Sequence, residues 1–340
     1  MIWILLACLV IGIAGALLGS YLPYYLTRRG SRVSKAVKIA TITTGVFLSI
    51  ALIPVALLVI GLAGLLGYVG IIVLALYFLV QYLLPPYVFA AGTLKIEPGS
   101  NYSWVSDLAQ SIARRMNYKK KFEVRIADVE VPNAFAVGNI FKRVIVVHKG
   151  LLKILDKDEL EAVLAHEMGH LAHRDNSYML ATSFTPMATY IIGTAMLFLG
   201  YAFIAGAARS REGGFVAGLI GLGMIALGAV ITVLAIIVNL AVLAFSRIRE
   251  HMADLYSVRA TGGDAIVRAL VKIENAVVGH RSSRSLPVKP SIRNMLYIVP
   301  QLAESSPSLS SILSTHPPTH VRIYIVKKYL EELSSGKKTP

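Results

Sequence analysis

The feature that most restricts the fold of this chain is a set of long runs without any charged residue, at 1–26, 39–84, 178–208 and 215–245. A helix needs about 20 apolar residues to cross the hydrocarbon layer of a membrane. Of the 340 residues, 55% are hydrophobic and only 16% are charged, whereas soluble domains carry about 25% charged residues. The sequence therefore predicts an α-helical integral membrane protein.

The same runs predict the number of spans. The run 1–26 lacks the basic start of a secretory signal peptide, so we interpret it as a retained first span. The run 39–84 is too long for one span, and four glycines near its middle favour a turn between two spans. Residues 1–90 are therefore predicted to hold three spans, and residues 178–245 to form a transmembrane helical hairpin.

Basic residues predict the orientation. Between the first two runs the only charged residues are basic, namely Arg28, Arg29, Arg32, Lys35 and Lys38. Because Lys and Arg concentrate in cytoplasmic loops, five spans would place this loop and the polar regions 91–177 and 246–340 in the cytoplasm, beneath the cell membrane. Such loops also explain the formal net charge of +15, so no nucleic acid is expected as a partner.

The polar regions predict a small α+β domain. Ser103 is a candidate cap for an amphipathic helix, and alternating residues at 122–127, 133–137 and 143–147 are typical of short strands. Asp156 and Glu159 have the spacing of a capping box that opens a helix running to about His173. A last amphipathic helix is predicted near 321–333.

The motif His166-Glu167-Met168-Gly169-His170 lies within that capped helix. Residues four apart share a helix face, so both imidazoles can bind one zinc ion. Glu167 is then placed to take a proton from the attacking water and to pass it to the leaving amine. The sequence thus predicts a zinc metallopeptidase with one Zn²⁺ per chain, acting on polypeptide substrates.

Catalytic zinc usually has three protein ligands, so a third ligand must come from elsewhere in the chain. Cys8 is the only cysteine, which excludes a cysteine-based site. Glu250 is the preferred candidate because it follows the last apolar run, and Asp254 lies one helical turn further on. The other candidates are His173, Asp175, His251, Asp254 and His316.

Taken in order along the chain, these residues resemble the HtpX-type membrane zinc metallopeptidases, which are related to the CAAX prenyl proteases. The resemblance extends from about 132 to 322. It includes the zinc motif, the membrane hairpin and three further segments, which are Pro132-Asn133-Ala134-Phe135-Ala136, Ser246-Arg247-Ile248-Arg249-Glu250 with Asp254, and His316-Pro317-Pro318-Thr319-His320-Val321-Arg322. It implies a zincin-type fold of the gluzincin class, although bacterial members have two amino-terminal spans where this chain has three predicted spans.

The resemblance also implies roles for individual residues. Glu250 would be the third metal ligand, and Asp254 would support the site from behind the ligands. His316 and Arg322 would stabilise the oxyanion of the tetrahedral intermediate. The strand that carries Asn133, Ala134 and Phe135 would be the sheet edge that pairs with extended substrate.

Three functions remain open at this point. The leading one is quality control, in which the enzyme cuts cytoplasmic parts of misfolded membrane proteins under stress. The second is the specific processing of a lipidated partner. The third is a non-catalytic membrane scaffold or transporter, against which the scarcity of ionisable residues in the apolar runs argues.

Overall fold

The structure is a computed structural model that describes residues 2–65, 67–173, 175–209, 214–283 and 316–335. Within 2–16, 54–78, 175–188 and 277–283, some or all residues are described by their backbone alone. The described chain combines long apolar helices with a small mixed sheet, as expected for a membrane-bound α+β protease fold.

The described amino-terminal region consists mainly of helices. Its helices are α1 (Ile2–Arg28), α2 (Val33–Leu65), α3 (Gly67–Leu83) and α4 (Pro85–Ala91). The change from α2 to α3 falls within the predicted glycine-rich turn. The basic segment is less of a loop than expected, because α2 begins at Val33 and therefore includes Lys35 and Lys38.

A helical hairpin follows the zinc motif. It consists of α8 (Asp175–Ala207) and α9 (Gly214–Thr261). The helices approach closely where Gly200 faces Gly221, since a Cβ on either glycine would lie 2.7 Å from the carbonyl oxygen of the other. Small residues allow such backbone contacts between membrane helices.

The described residues contain three helices long and apolar enough to cross a membrane, at Val33–Ile53, Thr189–Ala207 and Gly214–Thr261. A shorter apolar helical stretch covers Ala75–Ala91. The count of five spans therefore stays a prediction. At 48 residues, α9 is roughly 72 Å long, more than twice the hydrocarbon thickness of about 30 Å, so its polar end extends beyond the apolar layer.

Between the membrane segments lies a four-stranded sheet in the order β1-β2-β4-β3. β2 pairs in parallel with β4, whereas β1 with β2 and β3 with β4 are antiparallel. The predicted strands are correct to within one residue. Their bounds are Leu94–Lys95 for β1, Glu123–Ala127 for β2, Ala134–Gly138 for β3 and Arg143–His148 for β4.

Helices cover both faces of this sheet. One face carries Ala136, Ile145 and Val147 into the main core, where α5 (Ser103–Arg115) and α7 (Lys157–Ala172) pack. The other face packs on α4, where Phe89 meets Phe135 edge-on at 5.4 Å between ring centroids. The predicted cap at Ser103 is wrong by one residue, because Tyr102 is the N-cap and makes no side-chain cap hydrogen bond.

Three described helices remain, and the last of them packs on the amino-terminal region. They are α6 (Lys149–Ile154), α10 (Ala265–Ser283) and α11 (Thr319–Ser334). The Val33 amide at the start of α2 donates to both carboxylate oxygens of Glu332 in α11, at 2.9 and 3.1 Å. The rings of Tyr24 in α1 and Tyr324 in α11 lie 4.7 Å apart. The α1–α2 turn and the last helix are therefore neighbours.

Candidate metal centre

Helix α7 is fixed at its start by the predicted capping box. Asp156 accepts a hydrogen bond from the Glu159 amide at 2.9 Å, and Glu159 accepts one from the Asp156 amide at 3.0 Å. Such a box satisfies two amide groups that would otherwise lack partners at the helix start. The buried Glu159 also pairs with Lys272 of α10 at 2.6 Å, so the helix that carries the zinc motif is held to a second helix.

Side chains from α7 and α9 form a cluster suited to a metal ion. His166 Nε2 and His170 Nε2 are 3.2 Å apart. Glu250 Oε2 lies 3.6 Å from His166 Nε2, and Glu250 Oε1 lies 3.4 Å from His170 Nε2. Ligand atoms at about 2.1 Å from a tetrahedral zinc ion would be roughly 3.4 Å apart. The donor types and the spacing both fit a metal of this kind.

Glu250 reaches the two histidines because α9 crosses α7 at close range. A Cβ on Gly169, inside the zinc motif, would lie 3.2 Å from the Ala253 Cα. One turn beyond this contact, the Ser257 hydroxyl donates to the Ala162 carbonyl at 2.6 Å. The fourth position of the motif is therefore occupied by a residue small enough for the helices to meet.

A second contact between the same helices involves Arg249. Its Nη2 donates to the carbonyl oxygen of His173 at 3.0 Å, at the end of α7. Basic side chains commonly satisfy the last carbonyl groups of a helix. Sequence reasoning assigned no role to Arg249 or Ser257, and the only available signal was their closeness to Glu250 in the chain.

Behind the cluster, Asp254 supports His166. An oxygen of its carboxylate lies 2.9 Å from His166 Nδ1, an arrangement that directs Nε2 toward the other ligand atoms. Burial by itself lowers the pKa of His166, but hydrogen bonds to Asp254 and Glu250 outweigh it and raise that pKa above the usual histidine value. The carboxylates of Asp254 and Glu250 therefore favour positive charge at the position of His166.

Arg322 is buried against the same carboxylate. Its Nε and Nη2 lie 2.8 and 2.6 Å from the two oxygens of Asp254, and its Nη1 lies 3.5 Å from Glu250 Oε2. Burial works against the charge of Arg322, yet the Asp254 carboxylate overcomes it and raises the pKa of the guanidinium. With 1% of its surface exposed, Arg322 is a fixed part of the cluster.

Two further predicted residues lie beside the ligands. His316 Nδ1 is 2.9 Å from Glu250 Oε2. Glu167 is buried. Burial lowers the pKa of His170, but Glu250 and, to a smaller extent, Glu167 raise it above the usual histidine value. The Glu167 carboxylate also adds to the effect of Asp254 and Glu250 on the raised pKa of Arg322. The structure therefore brings His316, Arg322 and Glu167 to the metal cluster, although sequence separates His316 from the zinc motif by more than a hundred residues.

The other candidate ligands are placed differently. His251 is fully buried, and its Nε2 lies 3.3 Å from the Ser20 carbonyl of α1. His173 is the C-cap of α7 and meets the Tyr256 ring edge-on, while burial and the nearby Arg249 lower its pKa to about 4. Among the described side chains, the only group that could hold a metal ion consists of His166, His170 and Glu250. The side chain of Asp175 is not among the described ones.

The strand predicted to bind substrate is the edge of the described sheet. β3 pairs with β4 on one side only, with Ala134 opposite Val147 and Phe135 opposite Val146. Asn133 immediately precedes β3 and is buried. Its backbone carbonyl accepts a hydrogen bond from the His148 amide at 2.9 Å. An edge strand can pair with an added extended peptide.

The chain is similar to known proteins. Residues 100–330 match the family model described as peptidase family M48. The Protease HtpX homolog of Aeropyrum pernix is 33% identical over 279 residues, which cover 76% of this chain and 83% of that protein. Protease HtpX homolog 1 of Saccharolobus solfataricus is 33% identical over 285 residues, covering 79% of this chain and 90% of that protein.

A solved structure is also similar. The crystal structure of Ste24p from S. mikatae aligns with a TM-score of 0.44 and 18% identity, over 85% of this chain. The alignment covers 66% of the Ste24p chain, which is just under two thirds of its length.

Proposed function

Since the chain belongs to peptidase family M48 and is a membrane metallopeptidase, we propose that it is a zinc-dependent endopeptidase whose metal is held by His166, His170 and Glu250. The observation that carries this proposal is the separation of their ligand atoms, 3.2, 3.4 and 3.6 Å. A zinc ion bound there would lower the pKa of water toward neutrality and polarise the substrate carbonyl.

Glu167 is the proposed general base. Its carboxylate accepts a proton from the attacking water and later delivers it to the leaving amine. The position next to His166 in α7 supports this role, as does its electrostatic effect on His170. Because Glu167 is only 3% exposed, bulk water is largely kept away from the proton transfer.

Asp254 and Arg322 are proposed to position the ligands. Asp254 holds His166 in the tautomer that presents Nε2, and Arg322 fixes both Asp254 oxygens. The oxyanion role expected for Arg322 stays a prediction. His316 is the better candidate for that role, because it contacts Glu250 through Nδ1 and has a second ring nitrogen with which it could donate to the substrate.

The proposed substrates are extended segments of membrane proteins. β3, with Asn133, Ala134 and Phe135, would take such a segment as an added strand. Support for a membrane location comes from chain connectivity, since α7 ends at Ala172 and α8 begins at Asp175. Glu250 likewise lies on the helix that includes a candidate span. A metal centre close to the bilayer suits the removal of misfolded membrane proteins.

The proposed cytoplasmic side rests on the α1–α2 turn. The hydrogen bonds between Val33 and Glu332 support a shared side for the basic turn and α11, and basic turns favour the cytoplasm. Single cysteines at Ser34, Ala208 and Ser335, in a Cys8→Ser background, would test this in intact cells. An impermeant thiol reagent should label only the Ala208 position, and labelling at Ser335 would contradict the assignment.

The activity itself is tested with protein purified in mild detergent. Zinc content and cleavage of unfolded casein are compared for the wild type, Glu167→Gln and the control Glu161→Gln, which alters a carboxylate in the same helix. We expect Glu167→Gln to keep zinc and lose cleavage while the control retains both. Cleavage by Glu167→Gln at the rate of the control would overturn the mechanism, and a wild type without zinc would overturn the choice of metal.

A further inference from the structure

The turn between β3 and β4 exposes two large apolar side chains. Ile140 is 63% exposed and Phe141 is 69% exposed. Single exposed apolar residues are ordinary in proteins. Ile140 and Phe141 are adjacent, lie at the tip of a hairpin and are followed directly by Lys142 and Arg143. The exposure of this pair therefore needs an explanation.

The turn is held in one conformation by Asn139. Its side-chain Oδ1 accepts hydrogen bonds from the amides of Phe141 and Lys142, at 2.9 and 2.8 Å. The backbone amide of Asn139 donates to the Lys142 carbonyl at 2.8 Å. Such side-chain bonding is typical of Asn in tight turns. The apolar pair is therefore presented by an ordered tip.

The same turn is bonded to the end of the apolar helix α3. Asn139 Nδ2 donates to the carbonyls of Tyr82 and Leu83, at 3.2 and 3.1 Å. The Ile140 amide donates to the Tyr82 hydroxyl at 3.0 Å. The last carbonyl groups of a helix have no partner within it, and here the hairpin provides one. The tip thus lies at the carboxyl end of the apolar helix α3.

Exposed apolar surface continues from the tip onto its neighbours. Leu79 and Val80 near the end of α3 are 51% and 54% exposed, and Val88 of α4 is 56% exposed. Lys142 Nζ lies 5.2 Å from the centre of the Tyr87 ring. Aromatic residues beside basic residues are typical of the boundary between lipid headgroups and acyl chains. Exposed apolar side chains are therefore present both on the tip and on the last turns of the apolar helix that it contacts.

We propose that Ile140 and Phe141 are immersed in the headgroup boundary of the bilayer and hold the edge strand β3 at a fixed depth. The occupant of this surface is lipid, because the surface continues that of α3 and is edged by basic residues that suit anionic headgroups. From Gly138 back to Ala134, β3 extends about 14 Å from the turn. A peptide paired with β3 would therefore lie within a few residues of the membrane.

This inference rests on the proposed function and narrows its substrate class. The favoured substrates are unfolded segments that begin directly at the end of a transmembrane span. A segment separated from its span by a long flexible linker gains nothing from a strand held at the bilayer surface, and neither does a soluble polypeptide.

The depth of the tip is measured first, without any activity. A fluorescent label is attached at Phe141→Cys in a Cys8→Ser background, with exposed Lys157→Cys at the far end of α7 as the control. In nanodiscs that contain brominated lipids, we expect quenching at the tip and none at the control. Quenching by aqueous iodide alone would mean that the tip lies in water. Protection from both quenchers would mean that protein covers it, and either result overturns the proposal.

The consequence for cleavage is measured with the variant Ile140→Ser/Phe141→Ser. Val271→Ser, at an exposed position of α10, is the matched control. We expect the double variant to cut a span-adjacent segment roughly tenfold more slowly, because two lost apolar contacts exceed the free energy of about 1.4 kcal/mol that a tenfold change represents. Casein cleavage should stay within about twofold, since exposed substitutions rarely disturb stability.

The outcomes separate the two hypotheses. Equal slowing on all substrates, or no slowing on the span-adjacent one, would overturn the depth role of the tip. A wild type that cuts none of the substrates would refute the proposed peptidase function, while lipid quenching at Phe141→Cys would still support immersion of the tip.

Discussion

Replacing Asp254 by alanine should harm metal binding and folding separately, because the Asp254 carboxylate has two partners. One is His166, whose Nδ1 lies 2.9 Å away, and the other is Arg322, which binds both oxygens. Asp254 is fully buried and Arg322 is 1% exposed. The substitution therefore frees the orientation of a metal ligand and leaves a buried guanidinium without its main counter-charge.

The two effects have different magnitudes. Loss of a carboxylate behind a ligating histidine typically weakens metal affinity by about 10- to 100-fold. Removing one partner of a buried ion pair costs about 3–5 kcal/mol, which lowers the unfolding midpoint of a domain this size by roughly 6–20 °C. Arg322 Nη1 also lies 3.5 Å from Glu250, so we expect a loss of stability near the lower end.

A double variant separates the two effects. Asp254→Leu/Arg322→Met replaces the pair by apolar side chains of similar size, a change that is often neutral for stability. We expect it to recover most of the unfolding midpoint lost in Asp254→Ala while zinc binding remains weak. Thermal unfolding is followed by circular dichroism of chelator-treated protein, and zinc affinity by competition with a chelating dye.

A surface ion pair at the start of α10, between Asp264 just before the helix and Arg268 within it, provides the matched control. Asp264 and Arg268 are four residues apart, with side chains 57% and 46% exposed, so Asp264→Ala should change stability by at most about 1 kcal/mol. The reasoning is refuted if Asp254→Ala is no more harmful than this control. It is also refuted if the double variant unfolds at the same temperature as Asp254→Ala.

Two other substitutions test the contacts between α7 and α9. Glu250→Ala should lose zinc and casein cleavage together, because Glu250 is the only carboxylate among the three described residues whose atoms are grouped as metal ligands; a fully loaded variant by metal analysis would show that another residue is the third ligand. Arg249→Met should lower the free energy of unfolding by about 1–3 kcal/mol, because the His173 carbonyl loses a buried donor. Full zinc content at saturating metal distinguishes this structural effect from a ligand effect, and an unchanged melting temperature would contradict it.

Local patterns in the sequence predicted much of the fold. The capping box at Asp156 and the three predicted strands depend on residue spacing alone, and the structure agrees with them. The sequence changes from apolar to polar residues at Ser246, but α9 does not end there. Polar side chains change the surroundings that a helix prefers and leave its backbone hydrogen bonds intact. α9 ends only at Thr261, where Gly262 adopts a φ of +76° and its amide donates to the Val258 carbonyl at 2.8 Å.

Local patterns in the sequence predicted only part of the candidate site. The spacing of His166 and His170 predicted a shared face, which their Nε2 separation of 3.2 Å agrees with. The contact between Asp254 and Arg322 joins residues that are 68 positions apart, and no local pattern specifies such a contact. The resemblance to a known family named Arg322, but its burial against Asp254 depends on tertiary packing that only the structure contains.

The amino-terminal helices are more than an anchor in this arrangement. A Cβ on Gly19 of α1 would lie 1.8 Å from the Ala244 carbonyl oxygen of α9, so only glycine permits this contact. One residue further along, the Ser20 carbonyl meets His251, the neighbour of Glu250. Ala244 and His251 lie on either side of the change from apolar to polar sequence at Ser246. Because α9 is one continuous helix, both contacts with α1 restrain the helix that carries Glu250. No residue before Gly92 that the structure describes belongs to the metal group, yet α1 contacts the helix that carries the proposed third ligand.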